Sequence, residues 1–152
     1  MARLLIVYHT QSGRTEELAQ AALAGAREAA PTVDTRLQRA ANTGADDLRN
    51  ADGYLICTPE NFGYMAGQIK DLFDRTFYPL ENQTTGRPYA VLVACGNDGR
   101  GALREVGRIA TGYGWKPVHP GHIARQPTTP ADLDACREIG GLLAAGLEMG
   151  LF

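Results

Sequence analysis

No apolar run in this chain approaches the ~20 residues that a membrane-spanning helix needs, so no membrane span is expected. Cysteine is scarce. Cys57, Cys95 and Cys136 form an odd, scattered set without paired spacing, which argues against a disulfide framework and for reduced thiols. Met1-Ala2-Arg3 leads straight into an apolar run with no signal-peptide pattern. Together these features set a cytoplasmic location as the expectation. An excess of charge of one sign is missing too: 15 Lys and Arg against 17 Asp and Glu leave a formal net charge of −2. A nucleic-acid binder would show a basic stripe, and this chain has none. There is no Ser-His-Asp set, no cluster of metal ligands and no carboxylate pair that calls for hydrolysis. With 152 residues, 44% hydrophobic and 21% charged, the chain reads as a single globular domain spanning residues 1–152.

What the chain does have begins at its first apolar run. Leu4-Leu5-Ile6-Val7-Tyr8 reads as a strand buried on both faces. It stops at a turn rich in hydroxyls, His9-Thr10-Gln11-Ser12-Gly13-Arg14-Thr15, and an Ala-rich helical pattern follows to about Ala29. A strand-to-helix turn aims backbone N–H groups at one spot, at the positive end of a helix dipole. Thr10, Ser12 and Thr15 add hydroxyl donors, and Gly13 lets the backbone come close. The turn has no Gly-Lys-Ser/Thr ending, so it is not a nucleoside-triphosphate loop, and it lacks the three-glycine dinucleotide pattern. A hydroxyl-lined cradle without a metal suits a terminal phosphate monoester. The competing reading is an ordinary turn whose Ser and Thr merely cap the helix.

The remaining elements alternate. A weak strand around Val33, Thr35 and Leu37 reads as an edge strand, followed by a turn at 41–44 and either a short helix or a 3₁₀ turn at 45–50. Gly53-Tyr54-Leu55-Ile56-Cys57 is a third strand ending at Thr58-Pro59. Met65, Ile69, Leu72, Phe73 and Thr76 form a helical stripe that Pro79 should end. Tyr89 to Cys95 is a fourth strand, and Leu103, Val106, Ile109 and Ala110 mark the next helix. A fifth, proline-interrupted edge strand is expected at Trp115 to His119, with a loop from Gly121 to Thr129. Thr129 and Pro130 should open a last helix with Leu133, Cys136, Ile139, Leu143 and Leu147 on its stripe. Five strands alternating with helices call for an α/β, three-layer α/β/α sandwich around a five-stranded parallel sheet.

In such a sheet ligands sit beyond the C-terminal strand ends. Strands one, three and four each end in an unusual loop. The first is the hydroxyl turn. The second, Thr58-Pro59-Glu60-Asn61-Phe62-Gly63-Tyr64, offers aromatic rings for stacking and polar groups beside them. The third, Cys95-Gly96-Asn97-Asp98-Gly99-Arg100-Gly101, is glycine-rich and can set backbone N–H groups against the acceptor edge of a heterocycle.

The first loop resembles the phosphate loop of the flavodoxin-like family, which holds the phosphate of FMN. The stretch from Thr58 to Lys70 looks most like the NAD(P)H-dependent FMN reductases and the WrbA-like quinone reductases. The resemblance implies the flavodoxin-like strand order 2-1-3-4-5 and FMN as cofactor. It implies Thr10, Gln11, Ser12, Gly13, Arg14 and Thr15 around the phosphate. Pro59, Glu60, Asn61, Phe62 and Gly63 would hold the isoalloxazine, with Cys95, Gly96, Asn97 and Gly99 at its pyrimidine edge. NADH or NADPH would donate hydride to flavin N5, and a quinone, another small acceptor or a redox protein would receive the electrons. No side chain is required as a catalytic acid or base, since the cofactor carries the chemistry. The chain is too short for the insertions of WrbA-like tetramers, which leaves a homodimer open. The alternative from the same fold is a flavodoxin, a one-electron carrier. Short flavodoxins are markedly acidic, and a net charge of −2 favours an enzyme that meets small molecules.

Several residues carry two readings. Arg14 either pairs with the phosphate or points to solvent. His9 touches the cofactor or simply closes a turn. Cys57 and Cys95 approach each other across neighbouring strands or are separate buried thiols. Asp98 and Arg100 pair within their loop, and His119 and His122 hold rim or structural places around Pro120-Gly121.

Overall fold

Strand β1 (Arg3–Tyr8) is apolar at every position from Leu4 to Tyr8, so neither of its faces can meet water. In the computed structural model, which describes residues 1–152, β1 lies between β2 (Asp34–Arg39) and β3 (Gly53–Asn61), parallel to both. A two-residue strand, β4 (Tyr64–Met65), folds back antiparallel on the end of β3. β3 then pairs parallel with β5 (Pro88–Cys95), buried along its whole length. Beyond β5 the sheet position is shared. β6 (Lys116–Pro117) pairs with the start of β5 and β7 (His122–Arg125) with its end, both parallel. The spatial order is β2-β1-β3-β5 and then β6 with β7, which is the expected 2-1-3-4-5 arrangement with a split last strand.

Alternation along the strands sends side chains to two helical layers. Leu4, Ile6 and Tyr8 pack with α1 (Arg14–Ala29) and α5 (Pro130–Met149). Leu5 and Val7 pack with α3 (Gly67–Leu80) and α4 (Arg100–Tyr113). A short helix, α2 (Ala45–Arg49), follows a 3₁₀ turn at Ala40–Asn42. No helix is long and apolar enough to cross a membrane.

The structure corrects four local expectations. β3 runs to Asn61, because the chain past Pro59 finds a partner in β4. Met65 belongs to that hairpin, and α3 starts at Gly67 after Ala66. Pro79 lies within the last turn of α3 instead of ending it. The fifth strand is not Trp115–His119: only Lys116–Pro117 pairs there, and residues 122–125 form a strand where a loop was expected. Trp115 is buried and stacked on Tyr54 with ring centroids 4.1 Å apart, and its indole N–H donates to Thr84 Oγ1. It serves the core and not a strand edge.

Candidate functional site

β1, β3 and β5 run parallel, so the three unusual loops emerge at one edge of the sheet. The first loop joins β1 to α1. Gly13 takes the left-handed conformation, φ 95°, and donates its N–H to Thr10 Oγ1 at 2.9 Å. That bond folds the turn. The amides of Gln11, Ser12, Arg14 and Thr15 donate to no acceptor in the protein. Gln11, Ser12 and Gly13 are exposed, while Thr15 is 1% exposed at the floor of the turn. Four free N–H groups at a helix N-terminus, beside hydroxyls, are a cradle for an anion. Neither Ser12 nor any other side chain caps α1. The capping reading of the turn therefore fails.

α4 and α5 contrast with this. The carboxylate of Glu60 accepts from Gly99 N at 3.1 Å and from Ala102 N at 3.3 Å, and Asp98 Oδ1 accepts from Arg100 N at 3.0 Å. These acids fill the N-terminus of α4 with charge-assisted bonds worth roughly 1.5–3 kcal/mol each. Asp98 thus serves the helix cap, and no ion pair with Arg100 forms. Thr129 and Asp132 cap α5 reciprocally, as the Thr129-Pro130 signature implies.

The second loop is a tight hairpin. Asn61 and Tyr64 pair, and both residues between them have positive φ, Phe62 at 52° and Gly63 at 74°. This is the backbone of a two-residue primed turn, where a bulky aromatic is unusual. Phe62 is fully exposed at the tip. Tyr64 instead packs on the core beneath α3 and α4. Thr58 secures the base: its hydroxyl donates to Pro59 O at 2.8 Å and accepts from Ala66 N at 2.9 Å.

The third loop follows β5. Gly96 and Asn97 are exposed, and Cys95 is buried beneath them with Sγ donating to Asn97 O. Burial raises the Cys95 thiol above its ordinary value, and the Glu60 carboxylate adds to the shift. Burial also pushes Cys57 well up and Cys136 up to about 12, so these thiols stay protonated at neutral pH. Cys57 and Cys95 face opposite layers of the sheet and do not approach each other.

The Arg14 side chain does not point to solvent. Its guanidinium donates to Cys95 O at 3.2 Å, Ala124 O at 3.1 Å and Thr128 Oγ1 at 3.3 Å. It ties the first loop to the ends of β5 and β7. His9 closes the turn through its backbone, N to Cys57 O at 3.2 Å. Burial holds its imidazole below the ordinary value, and the neighbouring Arg39 adds to this, so the ring is neutral at pH 7. His119 accepts from Gly121 N, and His122 bonds Asp132 at 2.7 Å; both ring contacts are structural. Nothing in the sequence marked Ala124 and Thr128 as neighbours of the site. Their roles rest on long-range packing that leaves no local pattern.

Thr10, Gln11, Ser12, Gly13 and Thr15 thus lie together in the first loop. Pro59, Glu60, Asn61, Phe62 and Gly63 lie across from it beyond β3, and Cys95, Gly96, Asn97 and Gly99 beyond β5. Open amides for a phosphate, an exposed aromatic hairpin and a glycine-rich loop with free polar groups fit FMN.

The chain is similar to several known proteins. A curated relative, the flavodoxin of Aquifex aeolicus, is 25% identical over 95% of this chain and 86% of its own length. The NAD(P)H dehydrogenase (quinone) of Acidithiobacillus ferrooxidans is 35% identical over 50% of this chain, an alignment that spans 48% of that relative. Among solved structures, the flavodoxin, WrbA-like protein of Agrobacterium tumefaciens shares the fold with a TM-score of 0.82, at 19% identity over 98% of this chain and 99% of its own. The model of the family described as NADPH-dependent FMN reductase matches residues 4–125, a span that contains all three loops, and the chain belongs to that family.

Proposed function

We propose that this protein holds FMN at the three loops and transfers two electrons from NADH or NADPH to a quinone or another small acceptor. The observation that carries the reading is the set of unpaired amides at Gln11, Ser12, Arg14 and Thr15, in a chain that fills the N-termini of α4 and α5 with its own carboxylates. When bound, FMN supplies the hydride chemistry at its N5. The chain's own work is binding and orientation. Thr10, Ser12 and Thr15 hydroxyls and the loop amides hold the phosphate, and Arg14 acts from behind by fixing the loop to β5 and β7. Pro59, Asn61, Phe62 and Gly63 form one wall for the ring, and Cys95, Gly96, Asn97 and Gly99 the other.

The donor's phosphates need cations that are not already engaged. Arg100 and Arg125, at the start of α4 and the end of β7, make no ion pair or side-chain hydrogen bond within the protein. A net charge of −2 leaves little repulsion to oppose an anionic dinucleotide. Reacting atoms must come within about 3–3.5 Å for hydride transfer, which requires a flat approach over the ring. The test is anaerobic mixing of FMN-loaded protein with NADH or NADPH. The flavin should bleach in one two-electron step, and benzoquinone should restore its colour. The match to the Aquifex flavodoxin over nearly the whole chain supports a second reading, a one-electron carrier. If neither nucleotide bleaches the flavin while dithionite reduces it in two separate one-electron steps, that second reading holds.

A further inference from the structure

Glu60 lies in the second loop, yet its carboxylate oxygens bond to the third loop and to the first turn of α4. Oε1 accepts from Gly99 N at 3.1 Å and Oε2 from Ala102 N at 3.3 Å. A Cβ at Gly101 would overlap the Gly63 carbonyl, so the tip of the hairpin rests on the first turn of α4. Thr58 fixes the other end of the hairpin to Ala66, just before α3. Two segments that are 39 and 42 residues apart at these bonds are therefore fastened to each other.

We infer that Glu60 is a positioning residue: its carboxylate clamps the second loop to the N-terminus of α4 and so holds both ring-facing loops in their binding geometry before any cofactor arrives. The inference rests on the proposed flavin site for its consequence but not for its geometry. Rigid, preformed walls cut the ordering cost of binding. Glutamine at this position keeps the shape but offers one acceptor oxygen, and its NH₂ faces an amide N–H that also donates. Aspartate is one methylene too short to span both amides. The clamp acts on the ring-facing loops and not on the phosphate turn, so its loss should penalise any flavin equally, with or without a phosphate.

The experiment compares wild type, Glu60→Gln and Gly101→Ala. In flavin-free protein, amide exchange at Gly99 and Ala102 should quicken tenfold or more in Glu60→Gln, with α1 and α5 unchanged. Binding of FMN and of riboflavin, followed by fluorescence quenching, should weaken by the same factor of ten or more in Glu60→Gln. Gly101→Ala, which keeps the carboxylate but pushes the hairpin away, should weaken both flavins in the same ratio. Unchanged amide exchange would overturn the clamp. Faster exchange with unchanged flavin affinity would confine Glu60 to holding up the helix and overturn its positioning role, as would a loss seen for FMN alone. If wild type binds no flavin, the proposed function fails, while the exchange result still decides whether the clamp exists.

Discussion

Thr10 and Thr15 do different work in one turn. Thr10 accepts from Gly13 N, which shapes the loop, and Thr15 lies buried at its floor. Each hydroxyl offered to a phosphate is a charge-assisted donor worth roughly 1.5–3 kcal/mol. We predict that Thr10→Ala combined with Thr15→Ala gives a folded protein whose FMN affinity falls by roughly two to four orders of magnitude, at 1.4 kcal/mol per tenfold. Equilibrium dialysis against FMN measures it, and an affinity within threefold of wild type would remove these hydroxyls from the site. The turn was legible in the sequence because its parts are local: a strand, a hydroxyl-rich run with one glycine, a helix. Arg14 was not legible in the same way. Its three acceptors come from residues 81, 110 and 114 positions away, and nothing beside Arg14 announces them. Glu60 is the same case, a loop carboxylate whose partners are amides of a helix that starts far downstream.

At the scale of elements, α1 and α5 pack unusually closely. A Cβ at Gly140 would overlap the backbone oxygen of Ala22, and one at Gly25 the backbone of Arg137. These helices meet backbone to backbone, with Leu18, Ala22, Ile139 and Leu143 closing the layer over the sheet. Gly140→Ala should destabilise by about 1–3 kcal/mol through overpacking, despite the better helix propensity of alanine. Thermal unfolding reads this as a fall of several degrees, and an unchanged midpoint would mean that the two helices can part at no cost. The start of α5 adds a pH dependence. Burial raises the Asp132 carboxyl, but hydrogen bonds from Thr129 N–H, the His122 ring and the Thr129 hydroxyl outweigh it and hold the group below the ordinary carboxylate value. A depressed acid stabilises the fold above its unfolded pKa and loses that contribution as pH falls through the folded one. The stability advantage of wild type over Asp132→Asn should therefore be complete at pH 7 and shrink below about pH 4. An advantage that stays constant down to pH 3 would rule this out. The Thr129-Pro130 start of α5 could be read directly, because capping is local chemistry. β7 could not. Its four residues follow Pro117 and Pro120, and only pairing with Leu92 to Cys95 makes them a strand. Met65 was drawn to the wrong element for a related reason: its spacing fits the stripe of α3, but the hairpin claims it first.

At the scale of the molecule, the buried strands β1, β3 and β5 form a rigid floor and send three loops to one edge. Fold and layout followed from the alternation of apolar runs with helical stripes. The wiring between loops, by Arg14 on one side and Glu60 on the other, required the structure. That wiring gives the loops unequal roles. The second and third are fastened to each other, whereas the first keeps its amides free. We propose that those free amides hold the phosphate of FMN. Titrating flavin-free protein with FMN and with riboflavin, under identical buffer and salt, tests it most directly, because the two ligands differ only in the phosphate. FMN should bind at least about a hundredfold more tightly, and Thr10→Ala combined with Thr15→Ala should narrow the gap. Equal affinity for the two flavins would contradict it.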